Sequence, residues 1–219
     1  MKFSKRCFDI FFSFIGIIFL IPLFLVIALL IKVEDGGPVF FRQERIGYMR
    51  KPFRVWKFRT MVVNAERQGL KITVGHDPRI TRVGGWLRKF KLDEFPQLFN
   101  VLRGEMSFVG PRPEVSFYVE QYDANQQKVL DLMPGITDIA SIKFFNENDI
   151  LGKAKNPEDV YVNQIVPEKI RLNIEYAARA TLWSDFKVIL TTILKIFSSA
   201  KGRREVTSNP KESGLYRNM

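Results

Sequence analysis

With 219 residues the chain holds one domain of ordinary size plus a membrane anchor and excludes two large domains. Its formal charge of +11 arises wholly before Glu114, and the single cysteine, Cys7, excludes an internal disulfide. Because the basic residues flank a long apolar run, the excess points first to anionic lipid headgroups and phosphorylated substrates, with no nucleic acid partner.

The first element is that run. Ile10 to Ile31, about 22 residues, carries no charge and is long enough as a helix to cross a hydrocarbon core. It is too long, and lacks the small-residue cleavage site, for a signal peptide. Pro22 sits at its middle, removing a backbone donor and kinking the helix. Lys2, Lys5 and Arg6 precede the run and Lys32, Arg42 and Arg45 follow it, so both ends prefer the cytoplasmic side. The expectation is a re-entrant helix-break-helix over residues 1–34, with Pro22 as the membrane break. A full span is the alternative.

Asp35-Gly36-Gly37-Pro38 stops the helix and opens a domain over 35–200. Val39–Phe41 and Phe53–Phe58 read as two short strands of a β-hairpin, with Arg54, Lys57 or Arg59 toward a polar cleft. Asn64 to Thr81 is a long polar loop holding the only histidine, His76, and is expected to cover the site. Trp86, Leu87 and Phe90 lie on one face of a helix, with Arg88, Lys89 and Lys91 on the other. In LDEFPQLFNVLRGEMSFVGPRP, from Leu92 to Pro113, Asp93 and Glu94 sit at a helix start marked by Pro96, and Gly104 ends that helix. Pro111 and Pro113 bracket Arg112 and restrict its guanidinium, an arrangement suited to phosphate.

Val115 to Leu132 is expected to be helical, ending at Pro134-Gly135. Glu168 to Ser198 forms one or two helices. There Phe186, Ile189, Leu190, Ile193, Leu194 and Phe197 make a stripe that suits either a core or a headgroup-level helix with Lys187 and Lys195 snorkelling. Residues 201–219 read as a polar, disordered tail. The fold class is thus α/β with mostly helix: a re-entrant membrane segment, a short β-hairpin and a compact cytoplasmic catalytic domain with interfacial amphipathic helices.

The stretch from Leu92 to Pro113, together with KFRTM at Lys57–Met61 and PGIT at Pro134–Thr137, closely resembles the signature of the bacterial sugar transferases, the monotopic phosphoglycosyl transferases. The resemblance covers most of the chain. It implies transfer of a phosphosugar from a UDP-sugar to undecaprenyl phosphate or a similar polyprenol phosphate, giving UMP, as the first membrane step of glycoconjugate synthesis. By that resemblance Asp93 is the nucleophile, Glu94 helps hold Mg²⁺, and Lys57, Arg59, Arg88, Pro111 and Arg112 bind substrate at the cytoplasmic face of the bacterial inner membrane. Membrane lipids are partners, and a homodimer is left open. The chain departs from the family pattern at Ile21, where relatives often have serine, and after PGIT, where Asp138 to Lys143 replace the usual residues; the sugar preference therefore does not transfer. The rival readings are a membrane-anchored basic scaffold or a nucleic-acid-binding protein, neither of which uses Asp93.

Overall fold

The computed structural model describes residues 2–65 and 77–208, with side chains of the last helix described through Ser198. The cover proposed between Asn64 and Thr81, His76 included, lies largely outside the described residues, as do residues 209–219.

Helix α1 (Phe3–Asp35) runs without interruption through Pro22 and ends where Gly36 takes the left-handed conformation, its N–H bonding to the Lys32 carbonyl. Among the described residues it is the one helix long and apolar enough to cross a membrane. Many of its apolar side chains face outward, Phe11, Phe14, Phe19 and Leu25 among them, while Phe24, Ile27 and Ile31 are buried in the protein with Leu20 and Leu23 packed beside them.

Both ends of α1 are fastened to the same domain. Near the N-terminus Arg6 donates to the Val101 and Leu102 carbonyls at 2.6 and 2.9 Å, and Asp9 accepts from Ser107 Oγ and the Phe108 N–H. Near the C-terminus Glu34 accepts from the Arg82 and Val83 N–H groups, and Asp35 pairs with Arg59.

Strands β1 (Phe40–Ile46) and β2 (Pro52–Phe58) form the expected antiparallel hairpin, extended to seven residues each, with Phe40 opposite Phe58. Helix α2 (Arg82–Lys89) starts at Thr81, whose hydroxyl accepts from the Gly84 N–H. A 3₁₀ turn, Leu92–Gln97, leads into α3 (Leu98–Arg103), which Gly104 closes at φ +81 as its position in the sequence predicts. Strand β3 (Ser107–Val109) then pairs in parallel with β4 (Gly135–Thr137). This pairing sets the two proline-glycine motifs side by side. A Cβ on Gly110 would lie 2.1 Å from the Met133 carbonyl, and one on Gly135 equally close to the Gly110 nitrogen, so neither position has room for a side chain.

The helix expected over Val115 to Leu132 is broken. Only α4 (Ser116–Val119) and a 3₁₀ turn at Gln126–Asp131 form. The Asp123 carboxylate accepts from the Asn125 and Gln126 N–H groups, a local turn that competes with helix continuation. Beyond β4 come α5 (Ile139–Lys143), α6 (Glu147–Lys153), α7 (Pro157–Val160), a π-helical turn and then α8 (Val166–Arg179). Helix α9 (Leu182–Ser208) follows and continues past 201, where composition placed the tail. Its Lys, Arg and Glu residues are good helix formers, so polarity there does not prevent helix.

One core gathers Tyr118, Leu130, Leu151, Tyr161 and Ile170 beneath α8, and a second joins Phe24, Ile27 and Ile31 of α1 to Phe58 and Leu87. The apolar stripe of α9 is not core. Phe186, Leu190, Ile193, Leu194 and Phe197 are exposed, while Val188 and Asp185 face inward. Lys195 does not reach outward either, because its ammonium donates to the Ile142 carbonyl at 2.7 Å.

Candidate active site

The dyad stands between α2 and α3, in the first turn of Leu92–Gln97. Lys91, in the left-handed conformation at φ 57, turns the chain sharply there and aims Asp93 and Glu94 inward. Both are buried, at 7% and 9% exposure, and both line a cavity of about 1310 Å³ that also receives Lys57, Arg88 and Arg112.

The two carboxylates are held differently. Glu94 faces a guanidinium fork: Arg112 Nη1 donates to Oε2 at 3.0 Å and Nη2 to Oε1, with Lys57 Nζ 3.2 Å from Oε1. Burial pushes the Glu94 carboxyl up, but Arg112 and Lys57 more than offset it and hold the group well below the usual carboxylate range. Asp93 has no such partner. Its Oδ1 is buried without a hydrogen bond. Burial, reinforced by the neighbouring Glu94 charge, raises the Asp93 pKa against the opposing fields of Lys57, Lys91 and Arg88. One carboxylate is therefore ionised and engaged, the other under-satisfied beside cations.

The cations are themselves positioned. Burial lowers the Lys57 pKa while Glu94 opposes the shift. Arg88 donates from Nε to Thr60 Oγ1 at 2.8 Å. Arg112 follows the Gly110–Gly135 contact, where the Gly110 N–H bonds to the Thr137 carbonyl and the Gly135 N–H to the Pro111 carbonyl. On its other side Glu114 is anchored by Arg45, by the Tyr161 hydroxyl and by the bond from the Ile46 N–H to the Glu114 carbonyl. Arg112 is thus pinned from both flanks.

Of the residues the sequence singles out, Asp93, Glu94, Lys57, Arg88 and Arg112 are brought together. Arg59 is not. Its guanidinium is committed to Asp35 and to the Pro38 and Met61 carbonyls, where it ties the end of α1 to the strand. Pro111 serves the glycine contact through its carbonyl and does not line the cavity. Pro22 lies in α1, two residues from Leu20, which does line it.

Sequence reasoning missed Asn100, fully buried behind the dyad. Its side chain accepts from the Trp56 N–H and donates to the Arg54 carbonyl and to Glu105, locking the Lys57-bearing strand onto α3. Asparagine inside an apolar helical repeat was the available signal. Among the described residues no three His, Cys, Asp or Glu side chains cluster as a metal site. A hard cation here would rest on the dyad together with oxygens that a ligand brings.

An under-satisfied carboxylate thus faces Lys57, Arg88 and Arg112 in an open cavity, on a domain braced by a long helix many of whose apolar side chains face outward, an arrangement suited to anionic groups. The chain belongs to the bacterial sugar transferase family, whose model matches residues 1–199. It is 37% identical over 204 residues to the UDP-N-acetylgalactosamine-undecaprenyl-phosphate N-acetylgalactosaminephosphotransferase of Aeromonas hydrophila, covering 92% of this chain and 45% of that protein. With the UDP-glucose:undecaprenyl-phosphate glucose-1-phosphate transferase of Klebsiella pneumoniae it shares 39% identity over 88% of this chain and 40% of that one. The exopolysaccharide production protein ExoY of Rhizobium meliloti is similar along most of both chains, at 33% identity over 87% and 84%. The chain thus spans less than half the length of the Aeromonas and Klebsiella relatives and most of ExoY.

Proposed function

We propose that this protein transfers a phosphosugar from a UDP-sugar to a polyprenol phosphate, undecaprenyl phosphate in its bacterial setting, at the cytoplasmic face of the inner membrane. The observation that carries the reading is Asp93 Oδ1, buried and unpartnered in a cavity ringed by cations. The printed names of the Aeromonas and Klebsiella relatives support the substrate class.

Asp93 attacks the phosphorus bonded to the sugar, and the bond from that phosphorus to the bridging oxygen breaks. UMP departs with the electron pair, leaving an aspartyl-phosphosugar. A phosphate oxygen of the polyprenol then attacks the same phosphorus, releasing Asp93 and forming the polyprenol-diphosphate sugar. Dividing the transfer lets one cavity serve a soluble and a lipid substrate in turn. Arg112 and Lys57 keep Glu94 ionised and present a fixed positive field to the phosphates, and Arg88 supplies the same from α2. Glu94, together with phosphate oxygens of the donor, would hold Mg²⁺, which would supply positive charge against the diphosphate that otherwise repels Asp93.

The membrane seat follows from α1. Arg6 near one end and Glu34 near the other bond to the same domain, which supports both ends lying on one side of the bilayer with the apolar middle, Pro22 within it, dipping into the membrane. The exposed apolar face of α9, with Trp183 at 65% exposure, lies in the headgroup plane.

The test is UMP release by the purified protein with a panel of UDP-sugars, undecaprenyl phosphate and Mg²⁺. Release from one donor and its abolition by EDTA are expected. No release from any donor overturns the transferase reading.

A further inference from the structure

The cavity that holds Asp93 mixes charged and apolar side chains at most of its margins, and one stretch of its wall carries no charge. Arg79 and Lys89 line one margin, and Glu147, Asp149 and Lys169 another. Between α1 and α9 its wall is instead made by Leu20, Leu98, Phe108, Ile136, Ile189 and Ile193.

The fold makes that stretch a groove. Asp9 of α1 holds β3 through Ser107, and Thr192 of α9 holds β4 through Thr137 at 2.7 Å. Because β3 pairs with β4, the small sheet bridges the two helices. Ser107, Val109, Gly135 and Thr137 are buried on either side of Phe108 and Ile136, the middle residues of the two strands, which form the floor. At one end Lys5 of α1 pairs with Asp185 of α9 and closes the gap. Outside it, both helices expose apolar side chains, Phe19 at 79% and Leu194 at 60%, so the groove opens on the surface that the proposed function seats in the membrane.

We propose that this groove is the site for the prenyl chain of the acceptor, its first isoprene units lying along α9 from Ile189 toward Ile196 while its phosphate meets Lys57, Arg88 and Arg112. The inference rests on the transferase reading and adds where the lipid lies. A branched hydrocarbon chain cannot lie against the charged margins without stripping water from them. The apolar wall is the one continuous with both the dyad and the membrane-facing surface. From Ile189 to Ile196 α9 rises about 10 Å, a wall of substantial length for the start of the chain. An acyl chain of a bulk lipid would find the same wall, but only a chain bonded to a phosphate also uses the cations at its inner end.

The experiment measures KM for geranyl, farnesyl and undecaprenyl phosphate and for the UDP-sugar under turnover. Ile193 is 44% exposed, so substituting it opens no core. Ile193→Asn and the groove-filling Ile193→Trp are each expected to raise the KM for farnesyl and undecaprenyl phosphate roughly tenfold, the factor implied by losing burial of about two methylene groups. Their donor KM stays at the wild-type value. Leu194→Asn, one residue along on the outer face, leaves the acceptor KM unchanged. Wild-type acceptor KM in both Ile193 variants, or an equal rise in Leu194→Asn that marks general lipid seating only, overturns the groove while leaving the transferase reading intact. A wild-type protein that releases no UMP from any donor overturns both.

Discussion

Replacing Asp93 by Asn should abolish activity and make the protein more stable. The Asp93 carboxyl is 7% exposed, and Oδ1 has no hydrogen-bond partner. Leaving a buried polar oxygen unpaired costs about 1–3 kcal/mol, more for a charged one. Lys57, Lys91 and Arg88 recover part of that, yet burial and Glu94 outweigh them, since the Asp93 pKa is raised. Removing the charge should therefore gain about 1–2 kcal/mol, or about 2–8 °C in melting temperature for a chain of this size. The pH dependence fixes the sign. A carboxyl whose folded pKa lies above its unfolded value contributes its stability below the unfolded value of 3.8, and loses it as pH rises through the raised folded value. Wild type and Asp93→Asn should melt together near pH 3.8 and diverge as pH rises, the variant becoming the more stable. Differential scanning calorimetry in one detergent across that range, paired with UMP release, reads both effects; the loss of release should exceed about 10³-fold. A variant that melts below wild type at neutral pH refutes the electrostatic argument, and one that still releases UMP refutes Asp93 as nucleophile.

Arg112→Gln leaves the buried Glu94 carboxylate with Lys57 alone. Because the Arg112 side chain is 35% exposed, the cost is below that of a fully buried pair, about 2–3 kcal/mol, and a thermal melt should fall by about 4–12 °C. Adding Glu94→Gln should restore most of it, and no restoration would show that the ion pair is not the cause. Gly110→Ala places a Cβ 2.1 Å from the Met133 carbonyl, so β3 and β4 must part. We expect a loss of about 3 kcal/mol or more together with activity, read by melting and UMP release. With Cys7→Ser as background, Lys2→Cys and Glu120→Cys should react with an impermeant thiol reagent from the same side of membrane vesicles. Labelling from opposite sides would mean that α1 spans.

The parts of the fold legible in the sequence are those set by neighbours in the chain. Pro96 and Gly104 bound the helical stretch after the dyad because a ring-fixed φ and a left-handed glycine act within one turn, and the hairpin showed in its alternation. What failed was decided elsewhere. Apolar spacing between Val115 and Leu132 looks helical until the Asp123 side chain takes the N–H groups that the helix needs. Arg59 lies in the same short motif as Lys57, yet the end of α1 takes its guanidinium. That partner lies 24 residues away in sequence and no local pattern discloses it. Strands β3 and β4 have three residues each, too few for periodicity to register. Only Gly110 and Gly135, each beside a proline, hinted that two backbones meet there. The dyad was readable because its neighbours in the chain aim it; Lys57, Arg88 and Arg112 were named beside it, and what the fold adds is that Lys57 and Arg112 pair with Glu94 while Asp93 Oδ1 is left without a partner.

The anchor cannot be removed without dismantling the site, and this follows from which atoms α1 satisfies. Arg6 caps the last carbonyls of α3, and Glu34 caps the first N–H groups of α2. These two helices flank the turn carrying Asp93 and Glu94. Phe24, Ile27 and Ile31 cover Phe58 and Leu87, and Asp9 holds the strand that leads through Gly110 to Arg112. At about 2 kcal/mol for each buried apolar side chain, the three core residues alone supply about 6 kcal/mol. That is comparable with the whole net stability of an ordinary domain. A chain beginning at Gly36 should therefore show no cooperative melt by calorimetry and release no UMP, even in detergent. A soluble, cooperatively folding fragment that turned over donor would mean that the membrane helix is a tether only, and that the contacts made by Arg6, Asp9 and Glu34 are incidental to the chemistry.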